Sequence, residues 1–396
     1  MTSAPRARDL GIVIGEGRPG LFNAITDVDG VRVGHTTLIQ GDGPLVVGKG
    51  PVRTGVTVII PHDGDVVAEP LFAGAATMNG NGELTGLEWI REAGLLSGAI
   101  GITNTNSVGT VRDALVASAV DSHDASDQFW SLPVAGETYD GRLNDIAGNH
   151  VTAAHVREAL AEASHGPVAE GNVGGGTGMI CHEFKGGTGT ASRVIEGFVV
   201  GALVQANHGR RERLSVDGVP VGRELSTEAV PSPWDAEAAI DAETLRPPPG
   251  SGSIISILAT DAPLLPHQCE RLAQRAGLGI ARVGGAGEHS SGDLFLAFST
   301  GNRGKLHSYK TEAGAIPFGV TMLPDGAMSD LFWAAIEATE EAILNALVAA
   351  ETMTGRDDVT ARALDHGILV DIMSRYGRGP GRGTRDGSRQ AAGLDP

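Results

Sequence analysis

The chain has 396 residues and a formal charge of −18 at pH 7, with 41% hydrophobic and only 4% aromatic residues. The hydrophobic content excludes global disorder and allows a large core. The acidic balance argues against a surface that binds nucleic acid or anionic membranes. The 58 glycines predict many tight turns and closely packed backbones.

Two cysteines, Cys181 and Cys269, are too few for a disulfide framework or a four-cysteine metal site. Reduced thiols favour a cytoplasmic protein. The first nine residues lack the apolar stretch of a secretory signal, and no run of 18 apolar residues predicts a membrane span.

Short apolar runs alternate with helix-like stretches along the chain. In chain order, the pattern predicts a strand at 55–60, a helix at 83–93, a strand at 99–103, helices at 107–119, 150–164 and 191–207, strands at 253–259 and 293–298, and helices at 328–353 and 358–376. Interspersed helices and strands predict a layered architecture in which helices cover the sheets.

Two stretches break this pattern. Residues 213–252 carry six prolines and end in Gly-Ser-Gly, which predicts a long loop that is either functional or a linker. The tail from Gly377 to the C-terminus mixes arginine with glycine, and its composition predicts disorder.

Motifs for cofactors are weak. The segment 15–20 fits G-x-G-x-x-G but lacks a following helix, and the segment 174–178 lacks the lysine of a phosphate-binding loop. Neighbouring Cys181, His182 and Glu183 are too close in sequence to share a metal easily. The sequence therefore predicts neither a cofactor nor a metal.

The junction between Gly252 and Ser253 joins the long loop to a strand of apolar residues. Ser253 is either a polar residue at a strand end or an N-terminal nucleophile. In the second case its hydroxyl attacks the preceding carbonyl, and the freed α-amine then acts as a general base near neutral pH. A glycine before the serine permits the unusual backbone conformation of a strained scissile peptide.

The sequence resembles the DmpA-type L-aminopeptidase/D-esterase family, which includes the β-peptidyl aminopeptidases. The resemblance covers residues 25–376 and rests on dispersed motifs in order. They lie at 27–35, 79–86, 102–106, 136–141, 171–179, 204–207, 253–261 and 291–300.

The resemblance implies an α+β fold, a four-layer αββα sandwich like that of N-terminal-nucleophile hydrolases but with different connectivity, as in ornithine acetyltransferase. Residues 1–376 would form one domain, self-cleaved into a large subunit, 1–252, and a small subunit, 253–396, with 377–396 as a disordered tail. It further implies an oligomer of these heterodimers, typically a tetramer, that acts on small peptides, amides or esters with a free amine and needs no cofactor.

The family's catalytic residues carry over onto matching positions. Ser253 corresponds to the nucleophile and Asn207 to the side-chain donor of the oxyanion hole, while Tyr139 corresponds to a second hydroxyl on that side. Without the resemblance, Asn207 would be interpreted as a polar residue at a helix C-terminus.

Three further residues carry over. Glu137 corresponds to the carboxylate that binds the substrate's amine, although Gly136-Glu-Thr-Tyr alone is typical of a solvated turn. Ser291 and Asp293 correspond to a pair behind the nucleophile. Family members often have Glu at the second position, so Asp293 is one methylene shorter.

The resemblance implies a self-processing serine aminopeptidase, amidase or esterase that releases N-terminal amino acids through an acyl-enzyme on Ser253. A β-peptidyl aminopeptidase is an alternative within the family, and three further alternatives remain open from sequence. A nylon-oligomer hydrolase shares the fold but usually has a threonine nucleophile, as does the more distant ornithine acetyltransferase. An unprocessed binding homologue without catalysis is the alternative from another class.

Overall fold

The computed structural model describes residues 4–123, 129–225, 227–234, 252–306 and 317–380. The α-helices in these ranges are α1 (Leu87–Ala93), α2 (Val108–Asp121), α3 (Ala153–Ala161), α4 (Val221–Glu224), α5 (Pro266–Gln274), α6 (Ala276–Arg282), α7 (Met328–Val348) and α8 (His366–Arg375). The strands are β1 (Arg32–Gln40), β2 (Val52–Ile60), β3 (Leu71–Gly80), β4 (Leu95–Leu96), β5 (Ile100–Asn104), β6 (Val134–Thr138), β7 (Ile180–Cys181), β8 (Phe184–Lys185), β9 (Gly187–Ile195), β10 (Phe198–Asn207), β11 (Ser253–Thr260), β12 (Gly292–Ser299), β13 (Met353–Thr354) and β14 (Thr360–Ala361).

Two mixed sheets organise the fold. The smaller has the strand order β1-β2-β5-β6, and the larger has the order β4-β3-β12-β11-β10-β9. In the larger sheet β11 runs parallel to β12 but antiparallel to β10, so the start of β11 meets the end of β10 and the start of β12.

Side-chain alternation along the strands builds four layers. On β11, Ile255 and Ile257 pack between the two sheets, whereas Ile254 and Leu258 pack in the cluster that includes α7. Helices α2 and α3 cover the outer face of the smaller sheet. Because both faces of each sheet need apolar cover, the order helix, sheet, sheet, helix follows, as predicted.

The helix predicted at 191–207 is wrong, because this segment forms the hairpin of β9 and β10. Its turn is Glu196-Gly197, and both residues have positive φ, 47° and 90°. Such a two-residue turn favours antiparallel strands, and the flanking β-branched residues favour them too. The small residues that suggested a helix instead allow close packing.

Other predicted bounds shift at their ends. The helix predicted at 83–93 begins at Leu87, and the one at 328–353 ends at Val348. The segment predicted as one helix at 358–376 begins with the short strand β14 and becomes helical only at His366, where Asp365 accepts a hydrogen bond from Ile368 N–H as the N-cap.

The two irregular stretches are described in part. Residues 213–225 and 227–234 contain the short helix α4, while residues 235–251 lie outside the described residues. At the start of the Arg/Gly tail, Arg378 forms an ion pair with Asp217 at 2.9 Å, and residues 381–396 again lie outside the description. Within the described ranges, helices long and apolar enough to cross a membrane are absent.

Candidate active site

Strand register brings Ser253 and Asn207 together. Ser253 begins β11 and lies directly opposite Asn207, the last residue of β10, and each is 6% exposed. Ile180 N–H donates to Asn207 Oδ1 at 2.8 Å, which fixes the orientation of the amide. Asn207 Nδ2 therefore faces the other way, where it donates to the backbone oxygen of Tyr139 at 2.9 Å.

Glycines on both sides of Ser253 allow close backbone approach. A Cβ on Gly252 would lie 2.1 Å from Asn207 O, so a larger residue does not fit before Ser253. Gly292 N–H points at the junction, 3.2 Å from Ser253 Oγ and 3.3 Å from Gly252 O. One backbone donor therefore faces both the hydroxyl and the carbonyl that a self-cleavage would join.

A pocket of about 670 Å³ opens beside Ser253. It brings together five of the residues singled out from sequence: Ser253, Gly252, Asn207, Tyr139 and Glu137. Its other lining residues are Gly80, Asn81, Gly82, Glu83, Thr105, Arg142, Gly178, Ile180, Trp234 and Ser290. This volume suits a small ligand.

Glu137 is a buried carboxylate in the wall of this pocket. It belongs to β6, and its oxygens accept hydrogen bonds from Glu83 N–H at 3.0 Å and from the Thr105 hydroxyl. Burial raises the pKa of Glu137 above its usual range, and the bonds from Thr105 and Glu83 act in the opposite direction. The carboxylate is thus desolvated, held in place and suited to binding a cation.

Tyr139 follows β6 and is 51% exposed. Its ring lies against Gly141, where an added Cβ would come within 2.4 Å of the hydroxyl oxygen. Its backbone oxygen holds Asn207, so Tyr139 contributes to the site through its main chain as well as its side chain.

Ser291 and Asp293 lie behind the nucleophile rather than in the large pocket. Gly292, which pairs with Ser253, separates them in sequence. Ser291 Oγ donates to Asp293 Oδ1 at 2.7 Å. Burial raises the pKa of Asp293 to about 6, and the bond from Ser291 opposes this rise.

The glycine-rich segment at 174–178 threads between the strands of the two sheets. Gly174 N–H and Gly175 N–H donate to the hydroxyls of Thr37 and Thr57, at 2.9 and 3.1 Å. A Cβ on Gly175 would lie 2.1 Å from Gln205 Oε1. These contacts explain the glycines by close packing.

Within the described residues, ligand-type atoms of Cys181, His182 and His208 lie within 4.8 Å of one another. Burial raises the pKa of the Cys181 thiol to about 12, so the thiol keeps its proton. Its Sγ lies 3.9 Å from His208 Nδ1, within hydrogen-bond distance for sulfur. The neighbouring Lys185 is buried too, which lowers its pKa to about 7. We therefore interpret the cluster as hydrogen-bonded polar packing.

Residues 23–361 match the model of peptidase family S58. The chain belongs to peptidase family S58. Its relatives include the β-peptidyl aminopeptidases BapA of Sphingosinicella microcystinivorans and Sphingosinicella xenopeptidilytica. They are 50% and 45% identical and cover 94% of this chain, over 93% and 91% of their own lengths.

Solved structures of similar proteins agree with the fold. A Burkholderia sp. β-aminopeptidase is 55% identical with a TM-score of 0.85, and the L-aminopeptidase D-Ala-esterase/amidase of Ochrobactrum anthropi is 44% identical with a TM-score of 0.84. Both cover 94% of this chain and 99% of their own. The second is described as a prototype of the serine aminopeptidases and a variant of the N-terminal-nucleophile hydrolase fold. The predicted family, fold and peptide-bond hydrolase class are confirmed.

Several residues of the site are not predicted from the sequence. Thr105 and Ile180 act through hydrogen bonds to Glu137 and Asn207, and Gly292 acts through its backbone. Thr105 and Gly292 lie inside motifs that carried the resemblance, so proximity to a motif was the available signal. His208 follows Asn207 but lies outside the motifs, so the sequence does not indicate a role for it.

Gly178→Ala should impair catalysis, because the new Cβ would lie 2.2 Å from Arg53 O and 2.8 Å from Asp140 Cβ. The resulting shift would move Ile180, which orients Asn207. We expect kcat/KM to fall by about 100-fold, a typical effect of a 1 Å displacement. Gly109→Ala is the control, since its Cβ meets nothing within 4 Å. Equal activity of the two folded variants would contradict this account.

Proposed function

We propose that the protein is a self-processing serine aminopeptidase whose nucleophile, Ser253, becomes an N-terminus by cleavage after Gly252. The observation that carries the proposal is the meeting of Ser253, Asn207 and Glu137 at one pocket, through the register of β10 with β11. Hydrolysis of an amide bond next to a free amine requires a nucleophile, an amide donor for the oxyanion and a carboxylate that binds the amine.

Self-cleavage is an N→O acyl shift. Ser253 Oγ attacks the carbonyl carbon of Gly252, the C–N bond breaks, and the nitrogen takes up the hydroxyl proton to become the α-amine. Water then hydrolyses the ester and regenerates the hydroxyl. Gly292 N–H, which faces the Gly252 oxygen, supports the proposal because it stabilises the charge that develops there.

Turnover repeats this chemistry on a substrate. The free α-amine of Ser253 takes the proton of its own hydroxyl, which attacks the substrate carbonyl and expels the leaving amine. Asn207 Nδ2 and the Tyr139 hydroxyl serve the oxyanion, and Asn207 is already oriented by Ile180. Water completes the cycle by deacylation.

Ser291 and Asp293 hold the α-amine of Ser253. The pairing of Ser253 with Gly292, which lies between them, supports this role. A carboxylate at this place favours a proton on the amine during the step in which the hydroxyl gives it up.

Glu137 selects substrates with a free amine. The ammonium group of the substrate would pair with the carboxylate of Glu137 in the pocket wall. This attraction is strengthened because the carboxylate is shielded from water. An N-acylated substrate would leave the carboxylate buried without a cation.

The substrate class is peptides and amides that begin with a β-amino acid. The relatives reported above support this choice. Those named as β-peptidyl aminopeptidases or as a β-aminopeptidase are 45%, 50% and 55% identical to this chain, and the L-aminopeptidase is 44% identical. We further propose a cytoplasmic oligomer of cleaved heterodimers, a tetramer by family resemblance.

Purified protein should consist of two pieces of about 26 and 15 kDa, divided between residues 252 and 253. Ser253→Ala removes the attacking oxygen and should leave one inactive chain, as intact mass spectrometry can show. The matched control is Ser256→Ala on the same strand, which should still cleave. Cleavage of Ser253→Ala at the same bond would overturn the intramolecular mechanism, and an uncleaved wild type would favour the binding homologue.

Glu137→Gln should lose most of the preference for free-amine over N-acetylated substrates, while self-cleavage continues because it needs no ammonium group in the pocket. Steady-state kcat/KM for both substrate forms measures the preference. Glu83→Gln is the control, because Glu83 lines the same pocket but contacts Glu137 through its backbone. A full preference in Glu137→Gln would show that another group binds the amine.

A β-alanyl p-nitroanilide should be cleaved with a kcat/KM at least about tenfold above that of the L-alanyl compound. One methylene changes where the carbonyl lies when the amine is bound, and such differences are worth roughly 10- to 200-fold. Equal or higher activity toward L-alanyl would contradict the β-peptide assignment while leaving the aminopeptidase chemistry intact.

A further inference from the structure

A second, much smaller cavity lies on the helix-facing side of the larger sheet, behind Ser253. It measures about 10 Å³ and is lined by residues that include His208, Ile280, Glu288, Ser291 and Asp293. This size is about that of one water molecule. It is separate from the 670 Å³ pocket, which opens on the other side of the nucleophile.

Two polar atoms of its lining residues are unsatisfied. His208 is 4% exposed and Asp293 is 1% exposed, and neither His208 Nε2 nor Asp293 Oδ2 has a hydrogen-bond partner among the described residues. Buried polar groups are rarely left without partners, because the loss of their hydration is costly. Because both residues line the cavity, a single water there would give both atoms a partner.

The other polar atom of each side chain fixes the direction of the hydrogen bonds. Asp293 Oδ1 accepts from the Ser291 hydroxyl. His208 Nδ1 lies 3.9 Å from Sγ of Cys181, and we assign it as the acceptor of the thiol proton, which places the imidazole proton on Nε2. His208 Nε2–H then donates to the water, and the water donates to Asp293 Oδ2.

We propose that His208 is a positioning residue that holds the Asp293 carboxylate behind the nucleophile through one bound water. The inference rests on the proposed function, in which Asp293 acts on the α-amine of Ser253. The chain of contacts Cys181, His208, water, Asp293, Ser291 then supports the nucleophile from the helix side. A neutral imidazole suits this role, because burial lowers the pKa of His208 well below its usual value.

The bridge stabilises the charged form of Asp293. Its loss should therefore raise the pKa of Asp293 above about 6 and move the acid limb of the pH profile upward. The other charged groups at the cavity are Glu288 and its partners Arg210 and Arg213, at 2.9 and 4.0 Å. His182 lies beside His208, with ring centroids 5.2 Å apart, and burial lowers its pKa to about 4.

The test compares His208→Phe, which keeps a ring without a donor, with His208→Gln, whose amide places a donor near Nε2. In His208→Phe we expect a lower kcat with little change in KM and an acid limb of kcat/KM shifted upward by about half a unit to one unit. His208→Gln should restore most of the activity and the original limb. A high-resolution crystal structure of the wild type should show one water bonded to both atoms.

Asp293→Asn separates this inference from the proposed function. An inactive Asp293→Asn together with an unshifted His208→Phe overturns only the role of His208. A fully active Asp293→Asn overturns the role of Asp293, and the bridge then positions nothing. If His208→Phe does not fold, the wild-type crystal structure decides. Absence of the water, or anomalous scattering from a metal bound to Cys181 and His208, overturns the bridge.

Discussion

The backbone pairing of β10 with β11 is the constraint on which the site depends. It fixes Asn207 directly opposite Ser253. The same pairing brings the chain at Gly252 so close to Asn207 O that only glycine fits. A one-residue slip in this register would turn Ser253 and Asn207 to opposite faces, because strand side chains alternate. The sheets, and the helices that cover them, hold this register.

The two groups of proposed functional residues lie on opposite faces of the larger sheet. Ser253, Asn207 and Glu137 meet at the larger pocket, which is the proposed substrate site, while His208 and Asp293 line a cavity too small for more than a water. Burial raises the pKa values of Glu137 and Asp293 alike, and each carboxylate accepts a hydroxyl hydrogen bond that opposes the rise. Desolvation thus makes both groups sensitive to the loss of a single donor.

The fold class and the pocket residues can be predicted from the sequence, but the contacts that orient these residues cannot. Ser253 stood out because a loop of proline and glycine ends there in an apolar strand. The small residues of the segment at 191–207 suit either a helix or a strand, and only the Glu196-Gly197 turn distinguishes the hairpin. Ile180 orients Asn207 through its backbone N–H. Because nearly every residue has this group, the identity of the residue does not predict the contact. The cavity shared by His208 and Asp293 exists only once the strands are paired.

The most direct test of an N-terminal serine nucleophile is to trap the acyl-enzyme. An ester substrate mixed with the processed enzyme and quenched in acid within the first turnover should leave its acyl group on the small subunit. Intact and tandem mass spectrometry should place that group on Ser253. An acyl group on another residue or on the large subunit would contradict the account, as would a product burst without any covalent adduct.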